Sequence, residues 1–203
     1  MPTEPVDPQL LTALTTEHFV LQTARSGTIG EANGRAALYL GALSSALIAL
    51  GFVSRDPHTF RLFVAVVLPA LLAMGWFTFM RMVATSVENV RYLVRIQRIR
   101  SWYRQLAPDG PWFADAGVPG ADEAADALMT TGMRPGALQM MYTAAAMIAA
   151  LNAIVLGAGV AMVLRATNAA PTGVAVGSAV VLGCAAFVGQ LVLQRAEFAR
   201  GVA

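Results

Sequence analysis

Four uncharged, strongly apolar runs punctuate the chain at 36–53, 62–80, 138–164 and 173–193, and the polar positions between them recur at helical spacing. The first run, Ala36 to Val53, holds eighteen residues without a charge, about 27 Å of helix and close to the thickness of a bilayer core. Arg35 and Arg55 bracket it. None of the runs alternates with the period of two that a strand needs, and lipid accepts only internally bonded helices or closed barrels. The pattern predicts an all-α, polytopic membrane protein with four transmembrane helices and cytoplasmic helical extensions. The segment 54–61 (SRDPHTFR) reads as a tight loop with Pro57 in its turn, so the first two spans are antiparallel neighbours. Pro69, inside the second run, predicts a kink.

The remaining segments divide the chain into an amphipathic arm (1–35), a first hairpin (36–80), a helical region (81–136), a second hairpin (137–193) and a tail (194–203). In the arm, Leu10, Leu14, Leu21 and Ala24 share one face, and His18, Gln22 and Arg25 share another, as in a helix resting on the membrane or on a neighbouring subunit. Gly27, Gly30 and Gly34 predict a bend before the bilayer. Beyond it a new helix start is expected, with Thr28 as N-cap, Glu31 closing a capping box, and Glu31 and Arg35 paired four residues apart. From 81 to about 106 the second helix is expected to run on out of the membrane. Val83, Val87, Val90 and Val94 form one apolar stripe there, and Tyr92, Ile96, Ile99, Tyr103 and Leu106 form another. Arg91, Arg95, Arg98 and Arg104 face elsewhere, a basic row suited to lipid headgroups or to a cytoplasmic protein partner. The stretch 108–120 reads as a turn-rich loop with Trp112 and Phe113 as interfacial anchors. Asp122, Glu123 and Asp126 open a short helix to Thr131 as solvated charges.

Composition narrows the class. The chain is 57% hydrophobic and only 13% charged, against about 25% charged in soluble domains. All fourteen basic residues are arginine, as codon usage in a GC-rich genome produces. Eleven of them lie in the arm, the central region and the tail, and only Arg55, Arg61 and Arg165 lie in the two short loops. The positive-inside rule then puts both termini and the central region in the cytoplasm. A net charge of +2 offers nothing for nucleic acid. The single cysteine, Cys184, excludes a disulfide framework or a cysteine metal site. The N-terminus lacks the basic start and apolar core of a cleaved leader, so the first span is expected to insert uncleaved.

The inventory for chemistry is sparse. No ionisable side chain falls within the four spans, where proton-coupled transporters and intramembrane proteases need them. Ser44 and Ser45 have no base sharing the membrane with them. No catalytic, cofactor or metal residues are assigned, and a cytoplasmic-face enzyme would have to be built from His18 with Glu17, Gln22 and Arg25. Small residues instead recur at helix-packing spacing: Ala37, Gly41, Ser45 and Ala49; Ala145, Ala149, Ala153, Gly157 and Ala161; Gly173, Gly177, Ala185 and Gly189. Such faces let backbones approach within lipid. Asn152 and Gln190 read as interhelical hydrogen-bond formers.

The stretch EHFVLQTARSGTIGEANGRAALYLGALSSALIALGF (residues 17–52) resembles a group of integral membrane proteins of GC-rich bacteria that carry no assigned activity. The order of residues 9–106 (arm helix, span, tight loop, span, long cytoplasmic helix) resembles the membrane effector modules of bacterial nucleotide-signalled anti-phage systems. That second likeness implies membrane disruption on assembly. The expected function is therefore a non-enzymatic protein of the bacterial inner membrane that forms homo-oligomers through its small-residue faces and scaffolds or senses through its cytoplasmic helices. The alternative is a transporter or channel component for a neutral or hydrophobic substrate, with Pro69, Asn152 and Gln190 lining the pathway.

Overall fold

The computed structural model describes residues 7–106 and 143–202. They form four helices, α1 (Pro8–Val53), α2 (Pro57–Leu106), α3 (Ala144–Ala166) and α4 (Thr172–Val202), and among the described residues there is no strand. Each helix is long and apolar enough to cross a membrane, which is the architecture of a multi-pass membrane protein. The predicted loop at 108–120, the short helix from Asp122 to Thr131 and the start of the third span lie outside the described residues.

α1 is one helix where a bent arm and a fresh start were expected. Its cap is Asp7, whose carboxylate accepts from the Gln9 N–H at 2.9 Å, with Pro8 in the first turn where its missing N–H costs nothing. Thr28 is no cap: its hydroxyl donates to the Ala24 carbonyl in mid-helix at 2.9 Å. Gly27, Gly30 and Gly34 do not interrupt the helix, because contacts with α2 on both sides of them outweigh a propensity cost of about 1 kcal/mol each. The loop to α2 is also shorter than predicted, only residues 54–56. Pro57 belongs to the first turn of α2, capped by Asp56, which accepts from the N–H groups of His58 and Thr59.

α1 and α2 run antiparallel and stay in register from end to end. Tyr39 lies by Gly75, Glu31 pairs with Arg81 at 3.1 Å, Arg25 Nε donates to Asn89 Oδ1 at 2.6 Å, and Thr15 meets the Tyr103 hydroxyl at 3.3 Å. Both helices continue past their apolar runs as a two-helix stalk. Leu21 with Ile96 and Ile99 forms its core, and Leu14, Tyr92 and Tyr103 pack around them. The arm therefore packs on the second apolar stripe of its own chain.

The α3–α4 turn is a Schellman motif: Asn168 adopts φ 52°, its N–H reaches the Arg165 carbonyl, and the Ala169 N–H reaches that of Leu164. α4 does not stop at 193 but continues to Val202. Its last turn docks on the stalk, Gly201 against Val87, and Arg91 Nε donates to the Gly201 carbonyl at 2.9 Å. The main core lies where the stalk meets the spans, built from Ala32, Phe79, Met82, Val83, Ala145 and Ile148. In the apolar runs the large side chains Ile48, Phe52, Val66, Phe77, Ile154 and Val181 point outward, as lipid allows.

Candidate functional site

Just inside that core, one polar node draws on all four helices. Tyr39 of α1 is fully buried, and its hydroxyl donates to Asn152 Oδ1 of α3 at 2.9 Å. Asn152 Nδ2 donates to Gln190 Oε1 of α4 at 3.1 Å, and Gln190 Nε2 continues to the Ala186 carbonyl at 3.4 Å. Gly75 of α2 completes the site, since a Cβ there would land on Asn152 Oδ1 and lie 2.9 Å from the Tyr39 hydroxyl. The node sits four to six residues inside Arg35, Arg81 and Arg195, about 6–9 Å along the helices. Its donors and acceptors run in one direction, each amide satisfied by the next group, which is how polar side chains persist where water does not reach.

A second node closes the base of the α3–α4 pair. Gln194 Nε2 donates to Thr143 Oγ1 at 3.0 Å, and that oxygen also accepts from the Ala146 N–H at 3.2 Å, capping α3. Between the nodes and the turn the two backbones nearly touch. A Cβ on Gly157 would come within 2.8 Å of the Ala179 carbonyl, and one on Gly183 within 3.0 Å of that of Ala153.

The predicted packing residues therefore fall into two sets. Ala149, Asn152 and Gly157 are buried in helix contacts. Gly41, Ser45, Gly177 and Gly189 face outward and Ala49 is half-buried. Nothing in the chain lies within 4 Å of a Cβ built on Gly41, Gly177 or Gly189. On α4 the inward face is Ala175, Ala179, Gly183, Gln190 and Gln194, not the stripe through Gly173 and Gly189. Tyr39 and Gly75 were not singled out from the sequence. The signal for Tyr39 was a hydroxyl-bearing side chain four residues inside Arg35.

Asn152 and Gln190 meet in a dry contact, and Pro69 is exposed on the outer side of α2; the three do not line a common path. The His18 row is also dispersed. Gln22 Nε2 lies 2.8 Å from His18 Nε2, whereas Arg25 turns to Asn89. Of the basic row, Arg91 caps the end of α4, Arg95 is exposed, and Arg98 and Arg104 are engaged. Glu31 joins Arg35 at 2.9 Å as well as Arg81, and Arg81 reaches Glu88 at 3.4 Å. The hydrogen bond from Arg35, reinforced by the charge of Arg81, holds the Glu31 carboxyl below its ordinary range. Among the described residues no three His, Cys, Asp or Glu side chains converge as metal ligands would.

Fold and site define an all-helical protein whose four long apolar helices are cross-tied by buried amides. No family model, curated protein or solved structure matches the chain, so its function is read from the geometry.

Proposed function

We propose that the protein assembles with further copies of itself in the bacterial inner membrane, through the outward glycine faces of α1 and α4. Its stalk, in the cytoplasm, then presents a basic surface to headgroups or to a soluble partner. The observation that carries this reading is the division of small residues into two sets. Gly157 and Gly183 are used up at a backbone contact within the chain, whereas Gly41 on α1 and Gly173, Gly177 and Gly189 on α4 have open space around them. A glycine facing lipid gives up helix propensity and side-chain contact alike, and in membranes the gain that offsets this is the close approach of another helix. The eleven-to-three arginine asymmetry supports the orientation.

Gly41→Ile and Gly177→Ile test it, because a Cβ at either position has nothing of the same chain within 4 Å. In maltoside detergent the wild type should scatter light as a multiple of its 21.3 kDa protomer mass. Each variant should shift toward the single mass with an unchanged helix content, and any fall in unfolding temperature should reflect the lost assembly. Wild-type protein that is monomeric across all concentrations would end the proposal.

A further inference from the structure

At the end of the spans away from the stalk, a cleft of about 240 Å³ lies between α1, α2 and α3. Its lining runs from Leu43 to Leu50 on α1, from Phe63 to Leu71 on α2 and from Leu151 to Met162 on α3. No polar side chain is among the fifteen lining residues. The cleft exists because α1 and α3 each pack on α2 but stand apart outward of the Tyr39–Asn152 bond. That bond closes the inner end, one turn from Leu43. Leu47 and Ile154, both exposed, form the lips.

An empty apolar cavity costs in proportion to its volume, and water gains nothing where no donor or acceptor meets it. The lining extends about 10–16 Å along the helices, so the mean cross-section is roughly 15–25 Å². That is the width of one extended hydrocarbon chain. A helix, 10–12 Å across with its side chains, is several times too wide, so a second copy of the protein does not fill the space.

Two arginines stand over the mouth. Arg61 continues the α2 lining stripe of Val64, Leu68 and Leu71, and Arg165 continues the α3 stripe of Val155, Ala158 and Met162. Both stripes keep spacings of three and four, so each arginine lies on the cleft side of its helix, about one turn beyond the lining. They are two of the three arginines at this end of the spans, where basic residues are scarce. Arg61 Nε donates to the Pro57 carbonyl at 3.1 Å, and Arg165 donates one N–H to Thr172 Oγ1 at 2.7 Å. Each keeps further N–H groups, and neither is in an ion pair among the described residues. The acid of this turn, Asp56, is bonded by the His58 and Thr59 N–H groups. An apolar slot topped by two guanidinium groups repeats the order of a phospholipid, chain below and phosphate above.

We propose that this cleft holds one acyl chain of an anionic phospholipid, whose phosphate is met by Arg61 and Arg165. The lipid wedges α1 and α3 apart on α2, and the site stands independently of self-assembly.

Native mass spectrometry from maltoside detergent tests it, with dioleoyl phosphatidylglycerol titrated against dioleoylglycerol, which has the same chains and no phosphate. The wild type should retain one phosphatidylglycerol per protomer, at least tenfold in preference to the diacylglycerol. Ala46→Phe, which fills the cleft from α1, should melt at or above the wild type in lipid-free detergent and lose at least tenfold in apparent affinity. Arg61→Gln combined with Arg165→Gln, both at exposed positions, should lose the preference for phosphatidylglycerol and decides the matter if Ala46→Phe does not fold. Wild-type protein that retains no lipid overturns the proposal, as does full retention by either folded variant, which is what loosely surrounding lipid would give.

Discussion

At the scale of single residues, the node makes Gly75 and Asn152 one unit. Gly75→Ala puts a methyl where Asn152 Oδ1 sits, displacing the amide from both Tyr39 and Gln190, at about 1–3 kcal/mol for overpacking before the lost bonds are counted. Tyr39→Phe removes one bond, worth about 0.6 kcal/mol on average between membrane helices. Chemical or thermal unfolding in detergent should therefore rank Gly75→Ala as the more destabilising. In an Asn152→Ala background the Gly75→Ala change should cost much less, since the obstacle is gone. Additive losses would show that the two positions do not meet. Asn152 and Gln190 were legible as hydrogen-bond formers because amides stand out in an apolar run. Gly75 was not, as a glycine's role here is the space it leaves for a side chain 77 positions away.

At the scale of helices, the lengths of the apolar runs were legible and the faces were not. The four spans follow from uncharged length alone. The split of α1 into arm and span failed because Gly27, Gly30 and Gly34 weigh against a helix only locally, whereas α2 grips both flanks through Leu21, Arg25, Glu31 and Tyr39. On α4 two small-residue faces compete, and the one in phase with Gln190 and Gln194 turns inward, since amides seek partners away from lipid. The stalk junction also carries a pH dependence. Because Glu31 has a lowered folded-state pKa, its contribution is complete above the ordinary carboxylate range and is lost as the pH falls through the lower, folded value. Asp56 follows the same sign at the turn, held down first by the hydrogen bond from Thr59 and then by backbone N–H groups. Hydrogen-exchange protection at residues 25–35 and 81–89, corrected for intrinsic rates, should fall in acid by a few-fold at most, as these ion pairs are exposed. Glu31→Gln should flatten that dependence. An unchanged acid profile in this variant would mean that the Arg81 contact contributes nothing.

At the scale of the molecule, the charges among the described residues lie at the ends of the spans or on the stalk, so orientation can be tested with two thiols. Cys184 is exposed on α4 and is replaced by alanine first. A cysteine at Gln105, exposed near the stalk tip, should react with an impermeant maleimide only in inverted vesicles. One at His58, in the first turn of α2, should react in intact spheroplasts. The reverse pattern would put the stalk on the other side. The unbroken run of α2 has a mechanical consequence. About 35 Å of it lies before Arg81 and about 40 Å from there to Leu106, so the helix is a lever with nearly equal arms, and the Glu31–Arg81 contact marks its fulcrum. α1 braces both arms, and the built-in soft spot, Pro69, sits in the apolar arm rather than at the pivot. A sideways push that tilts the stalk by about 10° moves its tip about 7 Å and the opposite end about 6 Å the other way. Whatever restrains the stalk tips therefore sets the slant of the spans in the bilayer.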